Sequence, residues 1–457
     1  MNAFAKLVGG VCLAVLVACS IGLRAEDNSP AKPPTAKAGS AARAGSAKVK
    51  SISVKQLTGS LKSNVEEVRL RALALLTDAT LQNAAATDAV FEFIERHADD
   101  GTVAVSVVRA IQIASQLSQP TITNRLADIM DSAEPPVSIV IADVLSTAKP
   151  PVALERIVAL SKRDDYWKHF GLRRTVIDAA ARYLEPSAVD FLIDMVNGLD
   201  GHLKYETARH LTRITGQSFG GFGEKWREWW NANRSAPLGG KGKELAAAGG
   251  GAGQAAAGNG AVAVALSPGL AGARMPWPEK VPEFYGVPVY AKKVAFVIDR
   301  SRSMASLTGG VSRLGKASDE LEKAVESLSD YAEFTIYAFD STVISWKPTL
   351  VPANDENKRE AVAFTRRLFP RNNTNCYEAL GAGLHVDGDL EAVYFLSDGV
   401  PTTGPMIEPF SIVETITAQN SFQRTTIVTF GIDARGIHEE FLKQLAEKNW
   451  GEFIQVR

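Results

Sequence analysis

The sequence predicts a multidomain protein: an all-α array of helical repeats followed by an α/β domain built on a doubly wound, mostly parallel sheet. Three observations lead there. The chain has 457 residues, more than one hydrophobic core usually organises, so at least two domains are expected. Apolar positions recur at helical spacing as far as Arg234, whereas from Lys292 onward apolar strands alternate with amphipathic helices, the pattern of a parallel sheet covered on both faces. Between these regions lies a Gly- and Ala-rich stretch with few large side chains, too poor in apolar surface to bury a core.

The beginning of the chain bears on its compartment. Lys6 precedes an apolar run from Leu7 to Ala18, too short to span a membrane and suited to an export signal. Two cleavage points compete. One follows Ala25 in "GLRA", and the other precedes Cys19, where "LVAC" resembles a bacterial lipobox and would leave a lipidated cysteine. The polar segment "SIGLRA" favours cleavage after Ala25. The expectation is an exported protein of the periplasm, cell envelope or extracellular space, touching a membrane only through a lipidated Cys19. Cleavage after Ala25 removes Cys12 and Cys19 and leaves Cys376 alone, so no internal disulfide forms and Cys376 reads as a small buried hydrophobe. Residues 26–50, rich in Ala, Pro, Ser and Lys, read as a disordered tether. Lys and Arg total 50 against 51 acidic residues, a balance without the footprint of a nucleic-acid binder.

Residues 51–234 carry five related segments, beginning at Val68, Val103, Val137, Leu172 and Lys204. Their starts lie about 35 residues apart, the period of a helical pair, and Pro120, Pro150, Pro151 and Pro186 fall between helical stretches, where proline stops one helix and permits the next. The region resembles a HEAT-type α-solenoid, with an irregular helical bundle as the alternative. Its last helix, "EKWREWWNANR", sets Trp226, Trp229 and Trp230 on one face, and core packing of the final repeat is expected. His202 and His210 share a helix face, but the sequence offers no further zinc ligands beside them, so they read as solvent-facing. Residues 235–275 form the linker, and independent motion of the two folded parts is expected across it.

Within residues 276–457, whose core is 292–457, "KKVAFVID", "AEFTIYAFD", "EAVYFLSD", "TTIVTFGID" and "GEFIQV" read as strands, and "STVISWKPTL" as an antiparallel edge strand. Such a sheet binds ligands at the carboxyl ends of its strands, and three segments place oxygen donors there: Asp299, Ser301 and Ser303 after the first strand, Thr374 before a helix, and Asp398 at the end of "YFLSD". Two carboxylates and three hydroxyls are hard donors, suited to magnesium, calcium or manganese rather than zinc or copper.

These residues resemble the signature of the von Willebrand factor A domain family, Asp-x-Ser-x-Ser, then Thr, then Asp, its metal-ion-dependent adhesion site. The resemblance implies that Ser301, Ser303 and Thr374 approach a divalent cation, magnesium above all, with Asp299 and Asp398 bound directly or through water, and that an acidic side chain of a protein partner completes the coordination. It implies binding without catalysis, so no catalytic residue is assigned. One departure stands out: many members have glycine between the two serines, and here Arg302 takes that place, next to Arg300. Either arginine meets an acidic partner or is a solvated surface charge. Two other functions stay open, a magnesium-dependent hydrolase or phosphatase using the strand-end aspartate, and a scaffold whose metal site is unused. A phosphatase of that kind needs a second acid two residues on, where Ser301 stands.

Overall fold

The computed structural model describes residues 52–100, 103–117, 119–239 and 281–456. The expected leader (1–25), the tether (26–50) and the linker from residue 240 onward lie outside the described residues. The chain divides into two compact units between Ile129 and Met130. Among the described residues no helix is long and apolar enough to cross a membrane.

The first unit is helical: α1 (Val54–Leu61), α2 (Glu66–Ala74), α3 (Asp78–Leu81), α4 (Ala84–Arg96), α5 (Val105–Gln116) and the start of α6 (Pro120–Ser132). Ser53 and Gln56 close a capping box on α1, which satisfies backbone donors that the first turn leaves unpaired. Phe91, Phe93 and Ile94 of α4 are fully buried. Glu66 accepts the Ser106 backbone N–H at 2.7 Å and its hydroxyl at 2.8 Å, tying α2 to α5.

The second unit opens with α7 (Pro135–Ala148), α8 (Ala153–Ala159), α9 (Phe170–Ala180), α10 (Pro186–Gly198), α11 (Gly201–Thr215) and α12 (Gly223–Ala232). The segments expected to repeat fall on α2, α5, α7, α9 and α11, one helix of each period. In this unit α9 packs against both α7 and α11. Proline opens α7 and α10, where its missing N–H is one the helix would not use. Trp226 and Trp230 are fully buried, with their indole N–H groups donated to Gly220 O at 2.8 Å and Asp190 Oδ1 at 3.0 Å, so these two are core, as expected, whereas Trp229 is half-buried.

The rest of the unit is a three-layer α/β domain. Its seven-stranded sheet has the order β11-β10-β9-β3-β6-β7 (Phe453–Val456, Thr426–Ile432, Ala392–Ser397, Lys293–Asp299, Glu333–Phe339, Val343–Ser345), and β8 (Val351–Pro352) also pairs with β6. The five longer strands are parallel to their neighbours, whereas β7 and β8 run antiparallel to β6, so "STVISWKPTL" is the expected edge. Alternation along β3 sends Val294, Phe296 and Ile298 to one core, with Leu314, Leu321 and Val325 of α13 (Arg313–Ser327). Ala295 and Val297 face the other, with residues of α15 (Cys376–Leu384), α16 (Pro409–Gln419) and α17 (Ile437–Glu447); α14 (Asp355–Thr365) packs beside α13. A small ribbon, β1 (Glu283–Phe284) with β2 (Val287–Pro288), was not legible in the sequence. It plants Phe284 edge-on against Phe296, Tyr394 and Phe430.

The expected independence of helices and sheet meets a packed and charged contact inside this second unit. Arg174 of α9 is fully buried and donates to Glu206 Oε2 at 2.9 Å, to Thr426 Oγ1 at 2.8 Å and to the Arg424 carbonyl. Arg424 pairs with Asp143 of α7, and Arg173 with Asp389 at 2.9 Å. Gly171 allows the close approach, because a Cβ there would meet the Phe422 carbonyl oxygen at 1.8 Å. A Gly-rich connection in the sequence says how far two parts can separate, not whether their surfaces bind.

The histidines also differ from expectation. His202 is half-buried and held by the sheet rather than solvated: its Nε2 lies 3.1 Å from Thr426 Oγ1, and its backbone N–H is donated to Glu391 Oε2 at 3.0 Å. Burial, reinforced by the Arg174 guanidinium, lowers its imidazole from 6.5 to about 4, with Glu206 acting the other way and Arg209 with Arg174. The unfolded chain therefore binds more protons between these values, so stability from this group is complete above pH 6.5 and is lost as pH falls toward 4, by roughly 3 kcal/mol. Glu391, raised by burial, works in the opposite sense. The His202 share is isolated by comparing urea denaturation of wild type and His202→Gln at pH 7 and pH 4: the variant should lose less between them, and equal losses would refute the assignment.

Candidate metal-binding site

Two neighbouring parallel strands end together. The register of β3 with β9 pairs Ile298 with Leu396, so Asp299 and the Ser397-Asp398 step emerge side by side at the carboxyl edge. From β3 the chain crosses to β6 on one side and returns as β9 on the other, which makes this gap the switch point where open α/β sheets hold ligands.

Each expected donor is placed there. Asp299 is fully buried; its Oδ1 accepts the Ser301 N–H at 2.7 Å and its Oδ2 the Ser397 hydroxyl at 2.6 Å. Ser301 Oγ and Ser303 Oγ stand 3.0 Å apart, and Ser303 donates to Asp398 Oδ1 at 2.6 Å. Thr374 is held by its backbone, its N–H on Thr402 Oγ1 at 3.0 Å and its carbonyl accepting from Thr402 and Thr403. Its hydroxyl faces the same space: a Cβ built on Gly399 would meet Ser303 Oγ at 3.8 Å and Thr374 Oγ1 at 3.9 Å. Glycine at 399 therefore leaves open a position overlooked by hydroxyls from two separate loops.

The loops are locked to one another. Arg302 N–H donates to Asn372 O at 3.1 Å, and Arg371 N–H to Arg300 O at 2.8 Å. Arg302 is exposed at the edge of the donor set. Arg300 is not available to a partner: it is 4% exposed and its guanidinium lies 2.8 Å from the fully buried Asp340, which Arg371 also reaches at 2.9 Å. Its position one residue after a buried strand end turns it inward, which alternation along an irregular loop does not reveal.

The residues fit a hard divalent cation. Burial, and then the charge of Asp398, raises Asp299 from 3.8 to about 7. Among the described residues Asp299 is held by Ser301 and Ser397 and by no basic side chain, so its ionised form lacks the counter-charge that buried carboxylates normally have. A second positive charge at this point is what the arrangement is short of. The donors are all oxygen. Cys376 beneath them is fully buried, and burial raises its thiol well above the usual range, consistent with a packing role.

Sequence reasoning missed Ser397, which holds Asp299, and Arg313, which bridges Asp398 Oδ2 at 2.8 Å and Asp433 Oδ2 at 2.9 Å. Ser397 adjoins Asp398, so its place at the strand end was the available signal. Arg313 lies at the start of α13, and only the folded chain brings it to Asp398. A different cluster also forms: His210 Nε2 is 2.9 Å from Asp178 Oδ1, and with Glu206 their ligand atoms lie within 4.8 Å of one another. These are the partners that the sequence did not show for His210. Glu206 is engaged by Arg174, however, and the 780 Å³ pocket beside the cluster also presents Lys149, Arg182 and Arg213, which makes it a poor cation site.

Residues 292–453 match the von Willebrand factor type A domain. Inter-alpha-trypsin inhibitor heavy chain H4 of Bos taurus is 28% identical over 172 residues, covering 35% of this chain and 18% of the relative. Inter-alpha-trypsin inhibitor heavy chain H3 of Bos taurus is 38% identical over 101 residues, 22% of this chain and 10% of the relative. The chain thus spans a small part of these relatives. Among solved structures, a von Willebrand factor type A protein from Catenulispora acidiphila aligns at 18% identity with a TM-score of 0.32, covering 37% of this chain and 40% of that one.

Proposed function

We propose that residues 276–457 form a von Willebrand factor A-type module that captures a protein partner through a divalent cation, magnesium foremost and calcium or manganese as alternatives, without catalysing a reaction. The carrying observation is the meeting of Asp299, Ser301, Ser303 and Asp398 at the ends of β3 and β9, with Thr374 facing the same space. Asp299, Ser301, Ser303, Thr374 and Asp398 would hold the cation. When bound, the cation supplies a hard coordination position to an incoming oxygen ligand. The chain's own residues favour a carboxylate there: three of the five donors are neutral hydroxyls, which leave much of a dication's charge uncompensated. The helices of residues 51–234, read as a HEAT-like array, add a second contact surface, and the protein acts after export, in the periplasm, cell envelope or outside the cell. The relatives' name, inter-alpha-trypsin inhibitor heavy chain, agrees with association between proteins rather than turnover. Ser301, where a phosphatase of the strand-end aspartate type needs its acid, argues against the hydrolase reading.

Calorimetry of the full chain with magnesium tests the site. Saturable heat is expected from wild type and none from Asp299→Ala or Asp398→Ala; equal heats from all three proteins end the metal reading. Turnover of an aryl phosphate, lost in the same two variants, would replace capture by hydrolysis.

A further inference from the structure

Among the described residues Arg313 is the one basic group that pairs with a member of the donor set, and nothing in the motif calls for it. Its backbone N–H is donated to Ser306 O at 2.9 Å, which closes the small hairpin of β4 (Leu307–Thr308) and β5 (Val311–Ser312) that follows the Asp-x-Ser-x-Ser loop. The guanidinium is thereby aimed back at the strand ends. It spans two carboxylates, Asp398 Oδ2 at 2.8 Å and Asp433 Oδ2 at 2.9 Å, and its side chain is 20% exposed while that of Asp398 is fully buried. His438 of α17, close enough to feel the Arg313 charge, is lowered to about 4 by burial and by Arg313 itself, so it adds no charge at neutral pH.

The two oxygens of Asp398 are divided. Oδ1 takes the Ser303 hydroxyl and faces the other donors, whereas Oδ2 is occupied by Arg313. Arg313 therefore obstructs none of the five donors. Its effect on a bound cation is electrostatic: a fixed positive charge, shared with Asp433, offsets part of the buried carboxylate charge that would hold a dication.

Resting on the proposed metal site, we propose that Arg313 is a tethered counter-cation that keeps the chain's own grip on the divalent ion weak, so that the partner's carboxylate is needed to retain it. Metal and partner are then bound cooperatively, because the third carboxylate restores the charge that Arg313 offsets. The partner class is an acidic protein segment that is itself part of the cation's coordination.

Titration of the full chain with manganese, followed by the loss of the free-ion electron paramagnetic resonance signal, tests this without any partner. Arg313→Gln removes the charge and should tighten manganese binding by about tenfold or more. Arg313→Lys keeps the charge but has no planar fork for two carboxylates, and should stay within about threefold of wild type. If Arg313 only positions Asp398, both variants weaken binding, and the proposal falls. An unchanged Arg313→Gln also overturns it. Should Arg313→Gln not fold, Arg313→Lys decides alone, unchanged affinity supporting the charge role and weakened affinity refuting it. Asp299→Ala separates the two levels: if wild type and Asp299→Ala bind no manganese alike, the metal site and this inference fail together. Binding that Asp299→Ala loses and Arg313→Gln does not tighten sinks this inference alone.

Discussion

Replacing Arg174 with methionine should destabilise the protein by about 3–5 kcal/mol, the usual cost of removing one partner of a buried ion pair. Methionine fills much of the volume but abandons three acceptors: Glu206 Oε2, the Arg424 carbonyl and Thr426 Oγ1. Glu206 suffers most. Burial pushes its carboxyl up, and the Arg174 guanidinium, by its charge and its hydrogen bond, is the main influence that leaves it lowered; without Arg174 the balance tips toward the protonated acid. Arg174 also lies over the rings of Phe170 and Trp450, at 5.2 and 5.4 Å. Urea denaturation is the measurement, and the double variant Arg174→Met, Glu206→Gln should lose less than the sum of the single losses, since the stranded charge is gone. A loss below about 1 kcal/mol for Arg174→Met would show that the helices and the sheet do not depend on this contact.

That contact also marks where sequence reasoning stopped. Period and composition made the strand order of residue types, the crossover helices and the edge strand legible, because a sheet buried on both faces writes itself as near-continuous apolar runs. The five donors were legible for the same reason: each sits at the abrupt end of such a run or beside a helix start. Residues whose role depends on tertiary neighbours were not. Arg174 reads as one more charge on an amphipathic helix, and only the approach of the Phe422 backbone to Gly171 shows that this face is covered. Arg300 and Arg302 look alike in sequence, yet one is buried on Asp340 and the other exposed. His202 and His210 looked solvated because their partners, Thr426 and Asp178, come from a distant strand and a neighbouring helix.

Asp299→Asn should make the protein more stable in chelator at pH 8, by up to ~4 kcal/mol. The sign follows from burial and the neighbouring Asp398, which raise Asp299 from 3.8 to about 7. The folded chain holds this proton more tightly than the unfolded one, so stability from this group is complete below about pH 4 and is lost as pH rises through 7. Asparagine is neutral and nearly isosteric. Its carbonyl can accept the Ser301 N–H, and its amide can donate to Ser397, whose hydroxyl then turns to the Gly399 carbonyl, already 3.1 Å away. Saturating magnesium should reverse the order: wild type gains about 3 kcal/mol at a hundredfold excess over its dissociation constant, and the variant gains little. Urea denaturation at pH 8 with and without magnesium reads both terms, and a variant less stable than wild type in chelator would show that the Asp299 charge is compensated within the protein. A reversal by magnesium would mark the buried carboxylate as an instability that a bound cation offsets.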